Sequence, residues 1–120
     1  MRIAVSSQGN EITSRVDPRF GRAQYFIIYD TEKDNFEVVE NLQNVNAPQG
    51  AGIQAAQNVV RKNVDIIVSG NLGPKAFAAL SAAGVKAALW SEGSVLEAIE
   101  KIKSGMLKPT EGANVEGHWT

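Results

Sequence analysis

The sequence predicts a single α/β domain in which helices cover both faces of a mixed five-stranded sheet. In the second half of the chain, short apolar runs alternate with segments of helical spacing, which is typical of parallel strands joined by helices. In the first half, two adjacent β-rich runs predict an antiparallel hairpin. The chain has 120 residues, of which 43% are apolar, so it is long enough to bury a core without disulfides, and it contains no cysteine.

Three strands are predicted in the first half. The apolar run Arg2–Ser6 ends in turn-forming residues and predicts a buried strand. Residues 10–24 are polar and contain a proline, so an ordered loop is expected there. The runs Tyr25–Asp30 and Phe36–Glu40 then form the predicted hairpin, with a five-residue loop between them.

The second half predicts two strands and three helices. Helical spacing begins near Ala51 and gives the first helix. The strands are Asp65–Ser69 and Val85–Leu89, and a helix over Pro74–Ala83 connects them. Proline suits the first position of that helix, where its missing N–H costs nothing.

A capping box predicts the third helix, because Ser94 is followed three residues later by Glu97. The apolar residues expected on its inward face are Val95, Leu96, Ile99 and Ile102. A polar segment follows, so we predict one domain over residues 1–104 and a tail over residues 105–120.

Composition and charge argue against nucleic acid and membranes as partners. Twelve basic and thirteen acidic residues give a net charge of −1, so no overall field favours nucleic acid or an anionic membrane. The apolar runs are too short to span a bilayer, and the chain begins directly with a strand rather than a signal peptide. A cytoplasmic location is therefore expected.

Enzyme motifs fit this sequence poorly. The segment Gly50–Ala55 matches a dinucleotide-binding pattern but lacks the strand before it and the correctly spaced acid after it. The segment Gly70–Ala76 lacks the spacing of a phosphate-binding loop. With one histidine, His118, and no cysteine, Cys–His dyads and histidine-rich zinc sites are excluded. We expect no catalytic residues.

The loop Asp17–Arg22 is the first candidate for anion binding. Arg19 and Arg22 would offer planar charged donors, and Gly21 would let the backbone approach a ligand closely. A plainer interpretation is that Phe20 plugs the end of the sheet, the glycine forms a turn, and both arginines are solvated or paired with acids. The residues alone leave both interpretations open.

Two glycine-bearing turns before helices are the second candidate. One contains Gly50 and Gly52, and the other contains Asn71 and Gly73, with Lys75 in the helix that follows. Free N–H groups and helix dipoles at such turns favour an anion, although each turn could also be an ordinary helix start. In a chain without thiolates, a metal centre bound there would arrive with its own ligands.

These segments resemble the dinitrogenase iron–molybdenum cofactor biosynthesis family. The similarity runs through Val16–Ala23, Gly50–Ala56, Ser69–Phe77 and Val95–Ile99, and it covers nearly the whole predicted domain. The resemblance implies a three-layer α/β/α fold of ribonuclease-H-like type. It also implies a non-enzymatic protein of the nitrogenase accessory-factor kind that binds and carries a metal–sulfur cluster noncovalently.

The tail Ala113–Trp119 is more similar to the orange-protein branch of that family, which is associated with a molybdenum–copper–sulfide cluster. Some relatives have histidines where this chain has Arg19 and Gln49, so an already coordinated, anionic cluster is expected, of the Mo–Fe–S or Mo–Cu–S type and without a protein ligand to the metal. The expected binding residues are Arg19, Phe20, Gly21, Arg22, Gln49, Gly50, Gly52, Asn71, Gly73 and Lys75.

Two other functions stay open. A protein–protein regulatory module could use the same loops to dock an iron–sulfur or ATPase-type partner in a nitrogenase-like system. An enzyme acting on a phosphorylated metabolite could use the anion site, but no general base is evident. The sequence also leaves open whether His118 in the tail contacts the site.

Overall fold

A computed structural model describes residues 1–113. Its elements in chain order are β1 (Arg2–Ser7), β2 (Tyr25–Asp30), β3 (Asn35–Glu40), α1 (Ala51–Val60), β4 (Ile66–Ser69), α2 (Pro74–Ala82), β5 (Lys86–Leu89) and α3 (Val95–Lys103). The predicted order of elements is confirmed, and the bounds that the sequence predicted differ from the observed ones by at most one residue.

The five strands form one mixed sheet in the order β3-β2-β1-β4-β5. Strands β1, β4 and β5 are parallel, whereas β2 runs antiparallel to both β1 and β3. In the register, Tyr25 is paired with Ser7 on one side and with Glu40 on the other. The carboxyl ends of β1, β3, β4 and β5 therefore meet at one edge, which we call the carboxyl edge.

Helices cover both faces of this sheet, so the predicted α/β/α fold class is confirmed. One core lies between the sheet and the pair α1 and α2, and a second core lies between the sheet and α3. In β1, Ala4 belongs to the first core, and Ile3 and Val5 belong to the second. Because both faces are buried, the strand is a continuous apolar run rather than an alternating one.

The three helices begin differently. Gly50 and Gly73 are the N-cap residues of α1 and α2, and Ser94 is the N-cap of α3 with the predicted capping box in place. Gly84 has a φ of 78° and follows the end of α2, as expected of a glycine that stops a helix. None of the helices described within residues 1–113 has the length and apolar character that a bilayer span requires.

The prediction that Leu96 faces inward is wrong, because this side chain is 38% exposed. The buried residues of α3 are Val95, Ala98, Ile99 and Ile102. Their spacing of three and four residues places them on one stripe of the helix, and Leu96 lies about 100° away from Val95 around the axis. The small side chain of Ala98 completes the stripe instead.

The loop between β1 and β2, residues 8–24, crosses the carboxyl edge, and we call it the edge loop. Val16 packs into the core beneath α3, and Phe20 packs into the core beneath α1 and α2. Between them, the Asp17 N–H donates to the Ser6 carbonyl oxygen at 2.8 Å. The loop is therefore anchored on both faces of the sheet.

The segment after α3 also contacts the domain. Leu107 packs against the core beneath α3, and the Thr110 N–H donates to the Ala87 carbonyl oxygen of β5 at 2.7 Å. The chain thus returns to the free side of β5 after the last helix.

Candidate functional site

The edge loop brings the two candidate groups of residues together. A Cβ atom on Gly21 would lie 2.9 Å from the Gly52 nitrogen, so the loop touches the first turn of α1. On the other side, the Asn71 N–H donates to the Pro18 carbonyl at 2.6 Å, and the Phe20 N–H donates to the Asn71 carbonyl at 3.4 Å. Asp17–Arg22, which we call the arginine loop, and both glycine turns therefore meet at the carboxyl edge.

Not all of the expected binding residues are accessible there. Phe20 is 1% exposed, and its ring lies 5.3 Å from that of Phe26 in the core, as the plainer interpretation expected. Gly52 is buried beneath Gly21, and Gly73 is buried as well, whereas Gly21 is half-buried. The exposed members of the set are Arg19, Arg22, Gln49, Gly50, Asn71 and Lys75.

The two arginines differ in their electrostatic surroundings. Arg19 forms an ion pair with Asp17, whose side chain is 2% exposed, at an Nε–Oδ1 distance of 3.2 Å. The hydrogen bond and the charge of Asp17 raise the pKa of Arg19 above its usual value. Arg22 and Lys75 form no ion pair with any described residue. They are the two cations of the expected set that have no acidic partner among residues 1–113.

The helix N-termini also differ. Within residues 1–113, no side chain caps the first turn of α1 or α2, which begin after Gly50 and Gly73. In α3 the Ser94 capping box is formed, and the next two N–H groups donate to the carbonyls of Ser14 and Ile12 at 2.8 and 2.9 Å. The first N–H groups of α3 are therefore satisfied by the protein, and the helix starts that adjoin the arginine loop are those of α1 and α2.

Two amide side chains that the sequence interpretation missed support the arginine loop. The Asn41 Nδ2 donates to the Gly21 and Ala23 carbonyls at 3.2 and 2.8 Å, and the Gln43 Nε2 donates to the Gly21 carbonyl at 3.2 Å. Asn58 of α1 in turn donates to Asn41 at 2.9 Å. The Asn- and Gln-rich composition of this connection was visible in the sequence, but no spacing related it to a loop twenty residues away.

The described residues suit an anion better than a bare metal ion. In residues 1–113, no group of three or more histidine, aspartate or glutamate side chains could hold a metal ion. Asn71 offers its side-chain amide, because its backbone N–H is already bonded to Pro18. His118, which could have supplied a ligand, lies outside the described residues.

A cavity of about 680 Å³ lies at the opposite end of the sheet. It is lined by residues at the starts of β4 and β5 and by the segment after α3, among them Ile66, Lys86 and Leu107. None of the expected binding residues lines it. The cavity is therefore separate from the arginine loop and the helix N-termini at the carboxyl edge.

Known proteins with the same architecture cover nearly the whole chain. The apo form of the orange protein from Desulfovibrio gigas superimposes with a TM-score of 0.89 at 36% identity, covering 95% of this chain and 96% of that one. A Thermotoga protein of the DUF35 family gives a TM-score of 0.81 at 41% identity, with 97% and 98% covered. An uncharacterized protein of Methanocaldococcus jannaschii is 30% identical in an alignment of length 114 that covers 92% of this chain and 92% of that one.

The family model described as dinitrogenase iron-molybdenum cofactor matches residues 1–105, which include the edge loop, both glycine turns and all three helices. This match and the structural similarities point to a role connected with a metal cofactor or cluster. The chain belongs to the dinitrogenase iron-molybdenum cofactor family.

Proposed function

We propose that this protein binds and carries a small anionic metal–sulfur cluster noncovalently and has no enzymatic activity. The observation that supports this function best is the junction of the arginine loop with the uncapped starts of α1 and α2. Guanidinium groups and helix N-termini favour negative charge, and they do so without supplying a ligand to a metal. A cluster whose metals are already coordinated by sulfide fits such a site.

Each exposed residue has a distinct role in this proposal. Arg22 and Lys75 supply unpaired positive charge, since neither forms an ion pair with a described acid. Arg19 supplies directed N–H donors, and Asn71 and Gln49 supply side-chain amides. Phe20, Gly52 and Gly73 are buried, and in this proposal they shape the site from below.

Molybdenum is the metal we propose for the cargo, in a cluster of the Mo–Fe–S or Mo–Cu–S type. The name of the family supports it, because it refers to an iron–molybdenum cofactor. The structural similarity to an apo protein supports a site that is formed before its cargo binds. Such a site would not need the cargo in order to fold.

The test uses tetrathiomolybdate as the probe, mixed anaerobically with the protein with and without copper(I). After desalting, we expect a protein-bound visible absorption in the wild type. Loss of one charged contact costs about 1.5–3 kcal/mol, so we expect Arg22→Ala to weaken binding about tenfold or more.

The matched control is Arg61→Ala, because Arg61 is also exposed and lies at the C-terminal end of α1. Arg61→Ala removes the same charge far from the site and is expected to leave the affinity within about twofold. Retention of the probe by Arg22→Ala, Lys75→Ala at wild-type affinity would contradict the proposed roles. Absence of bound colour in the wild type would contradict the function itself.

A second candidate function is the docking of a protein partner at the same edge. Leu42 and Val45 are 68% and 93% exposed in the connection whose Gln43 contacts the arginine loop. Exposed apolar side chains beside a binding site are suited to a partner that receives the cargo or replaces it. If docking is the function, a Leu42→Ser, Val45→Ser variant loses an iron–sulfur or ATPase-type partner that the wild type binds, and the wild type retains no chromophore.

A further inference from the structure

The carboxylate of Asp17 is buried, but the guanidinium that it holds is exposed. The Asp17 side chain is 2% exposed and the Arg19 side chain is 64% exposed. Oδ1 accepts the Arg19 backbone N–H at 2.9 Å and the Nε–H at 3.2 Å, and Oδ2 accepts an Nη2–H at 3.3 Å. The carboxylate thus binds one edge of the guanidinium in the fork geometry typical of such pairs.

Asp17 is itself fixed to the ends of two neighbouring strands. Its N–H donates to the Ser6 carbonyl at 2.8 Å, and its own carbonyl accepts the Ser6 hydroxyl at 2.6 Å. The Ser6 and Ser69 hydroxyl groups are also hydrogen-bonded to each other at 2.8 Å, which joins β1 to β4 at the same point. These contacts fix the Asp17 backbone, and the buried carboxylate is held toward Arg19 by the backbone N–H that Oδ1 accepts at 2.9 Å. The position of the guanidinium is therefore tied to the ends of the two strands.

This arrangement leaves part of the guanidinium for a ligand. Arginine has five N–H donors in a planar group, and Asp17 takes the Nε–H and one Nη2–H. Three donors remain on a side chain whose freedom is already restricted before any ligand arrives. Binding then loses less side-chain entropy than it would with a freely rotating arginine.

We propose that Asp17 is a positioning residue that orients the Arg19 guanidinium toward an anionic cargo. The inference rests on the proposed function and assigns different roles to the charged residues. Arg22 and Lys75 attract the anion, and the Asp17–Arg19 pair orients hydrogen-bond donors toward it. The negative charge of Asp17 opposes the attraction, and this cost is offset by the orientation that it imposes.

The substitution Asp17→Asn distinguishes the orientation of Arg19 from the charge of the site. Loss of orientation would weaken binding of the anionic probe, whereas loss of the negative charge would strengthen it. Asparagine has the same shape and keeps an acceptor for the Arg19 backbone N–H, but its amide nitrogen cannot accept from Nη2. The change also makes the site more positive by one charge. If charge alone mattered, tetrathiomolybdate would bind more tightly; because Asp17 positions Arg19, we expect binding about tenfold weaker.

The control for charge is Glu92→Gln, since Glu92 is an exposed acid that follows β5 at the same edge of the sheet. This variant gains the same charge without changing the ion pair, and we expect its affinity to stay within about twofold of the wild type. Thermal unfolding of every variant shows that binding is measured on folded protein.

A double-mutant cycle shows whether Asp17 acts through Arg19. In the Arg19→Ala background, Asp17→Asn is expected to cause no further loss of affinity. The variant Arg19→Lys keeps both charges but cannot form the fork, so it is expected to lose about as much affinity as Asp17→Asn. It also provides the test if Asp17→Asn does not fold.

The outcomes are distinct. Equal or tighter binding of the probe by Asp17→Asn, or wild-type binding by Arg19→Lys, overturns the positioning role and leaves the proposed function standing. Failure of the wild type to retain the probe overturns the proposed function, and the positioning role falls with it.

Discussion

Gly21 is the residue through which the edge loop contacts α1. A Cβ atom there would lie 2.9 Å from the nitrogen and 3.1 Å from the Cα of Gly52, and 3.2 Å from the carbonyl carbon of Ala51. All three are backbone atoms, so no side-chain rotation can relieve the contact. A side chain at this position would force the loop away from the helix.

We expect Gly21→Ala to lower the free energy of unfolding by about 1–3 kcal/mol, as overpacking does in well-packed regions. Urea unfolding measures this difference. The matched control is Gly112→Ala, because a Cβ on Gly112 meets nothing within 4 Å, and its effect should stay within about 0.5 kcal/mol. Equal stability of the two variants would show that the loop separates from α1 at little cost.

At this edge of the sheet the sequence indicated the two arginines as candidates but not the residues that they contact. The motif around Arg19 and Arg22 was visible as two arginines flanking Phe-Gly, and the structure places both on the surface. The sequence left open whether Arg19 is solvated or paired with an acid, because a separation of two residues in a loop does not determine whether the side chains meet. The structure pairs Arg19 with Asp17. The burial of Asp17 depends on Ser6, which belongs to another element.

At the scale of elements, the three helices do not begin with the same kind of N-cap residue. Glycine N-caps leave the first turns of α1 and α2 without a side-chain cap from any described residue, whereas Ser94 and Glu97 close the first turn of α3. The sequence predicted this difference correctly, because a capping box is a local pattern of two residues. It could not predict that α3 lies on the opposite face, since that depends on packing.

The capping box gives α3 a pH dependence. The Ser94 backbone N–H and the Ser94 hydroxyl stabilise the Glu97 carboxylate and lower its pKa below the ordinary value of 4.5. A carboxyl group whose pKa is lower in the folded state stabilises the fold above its unfolded pKa, and it loses this contribution as the pH falls through the folded pKa. We therefore expect the melting temperature to fall on acidification below pH 4.5, with part of the fall due to Glu97.

Glu97→Gln should reduce that part of the acid dependence in thermal melts recorded across the acid range. The control is Glu100→Gln, an exposed glutamate on the same helix that takes no part in the cap. If both variants show the wild-type acid slope, the capping carboxylate does not contribute to the pH dependence of stability.

At the scale of the whole molecule, periodicity predicted the sheet and the helices on both of its faces but not the course of the loops at its end. Apolar runs and helical segments were sufficient to place every strand and helix in order, because each pattern is contained in one segment. The crossing of the edge loop from one face to the other, with Val16 in one core and Phe20 in the other, joins residues far apart in the sequence. The same holds for Asn41 and Gln43 beneath Gly21.

The sheet separates two cores, and this separation can be tested with matched substitutions. Ile67 is 1% exposed in the core beneath α1 and α2, and Ile99 is 2% exposed in the core beneath α3. Removing one methyl group by Ile67→Val or Ile99→Val should each cost about 0.5–1.5 kcal/mol of unfolding free energy. Val45→Ala, at a side chain that is 93% exposed, should stay within about 0.5 kcal/mol of the wild type.

The double variant Ile67→Val, Ile99→Val tests whether the two cores are independent of each other. Because Ile67 and Ile99 belong to different clusters of buried residues, their effects should add to within about 0.5 kcal/mol in urea unfolding. Additivity would mean that a change beneath α3 leaves the packing beneath α1 and α2 intact. A larger departure from the sum would show that strain passes through the sheet, and stability and cargo binding could then not be changed separately.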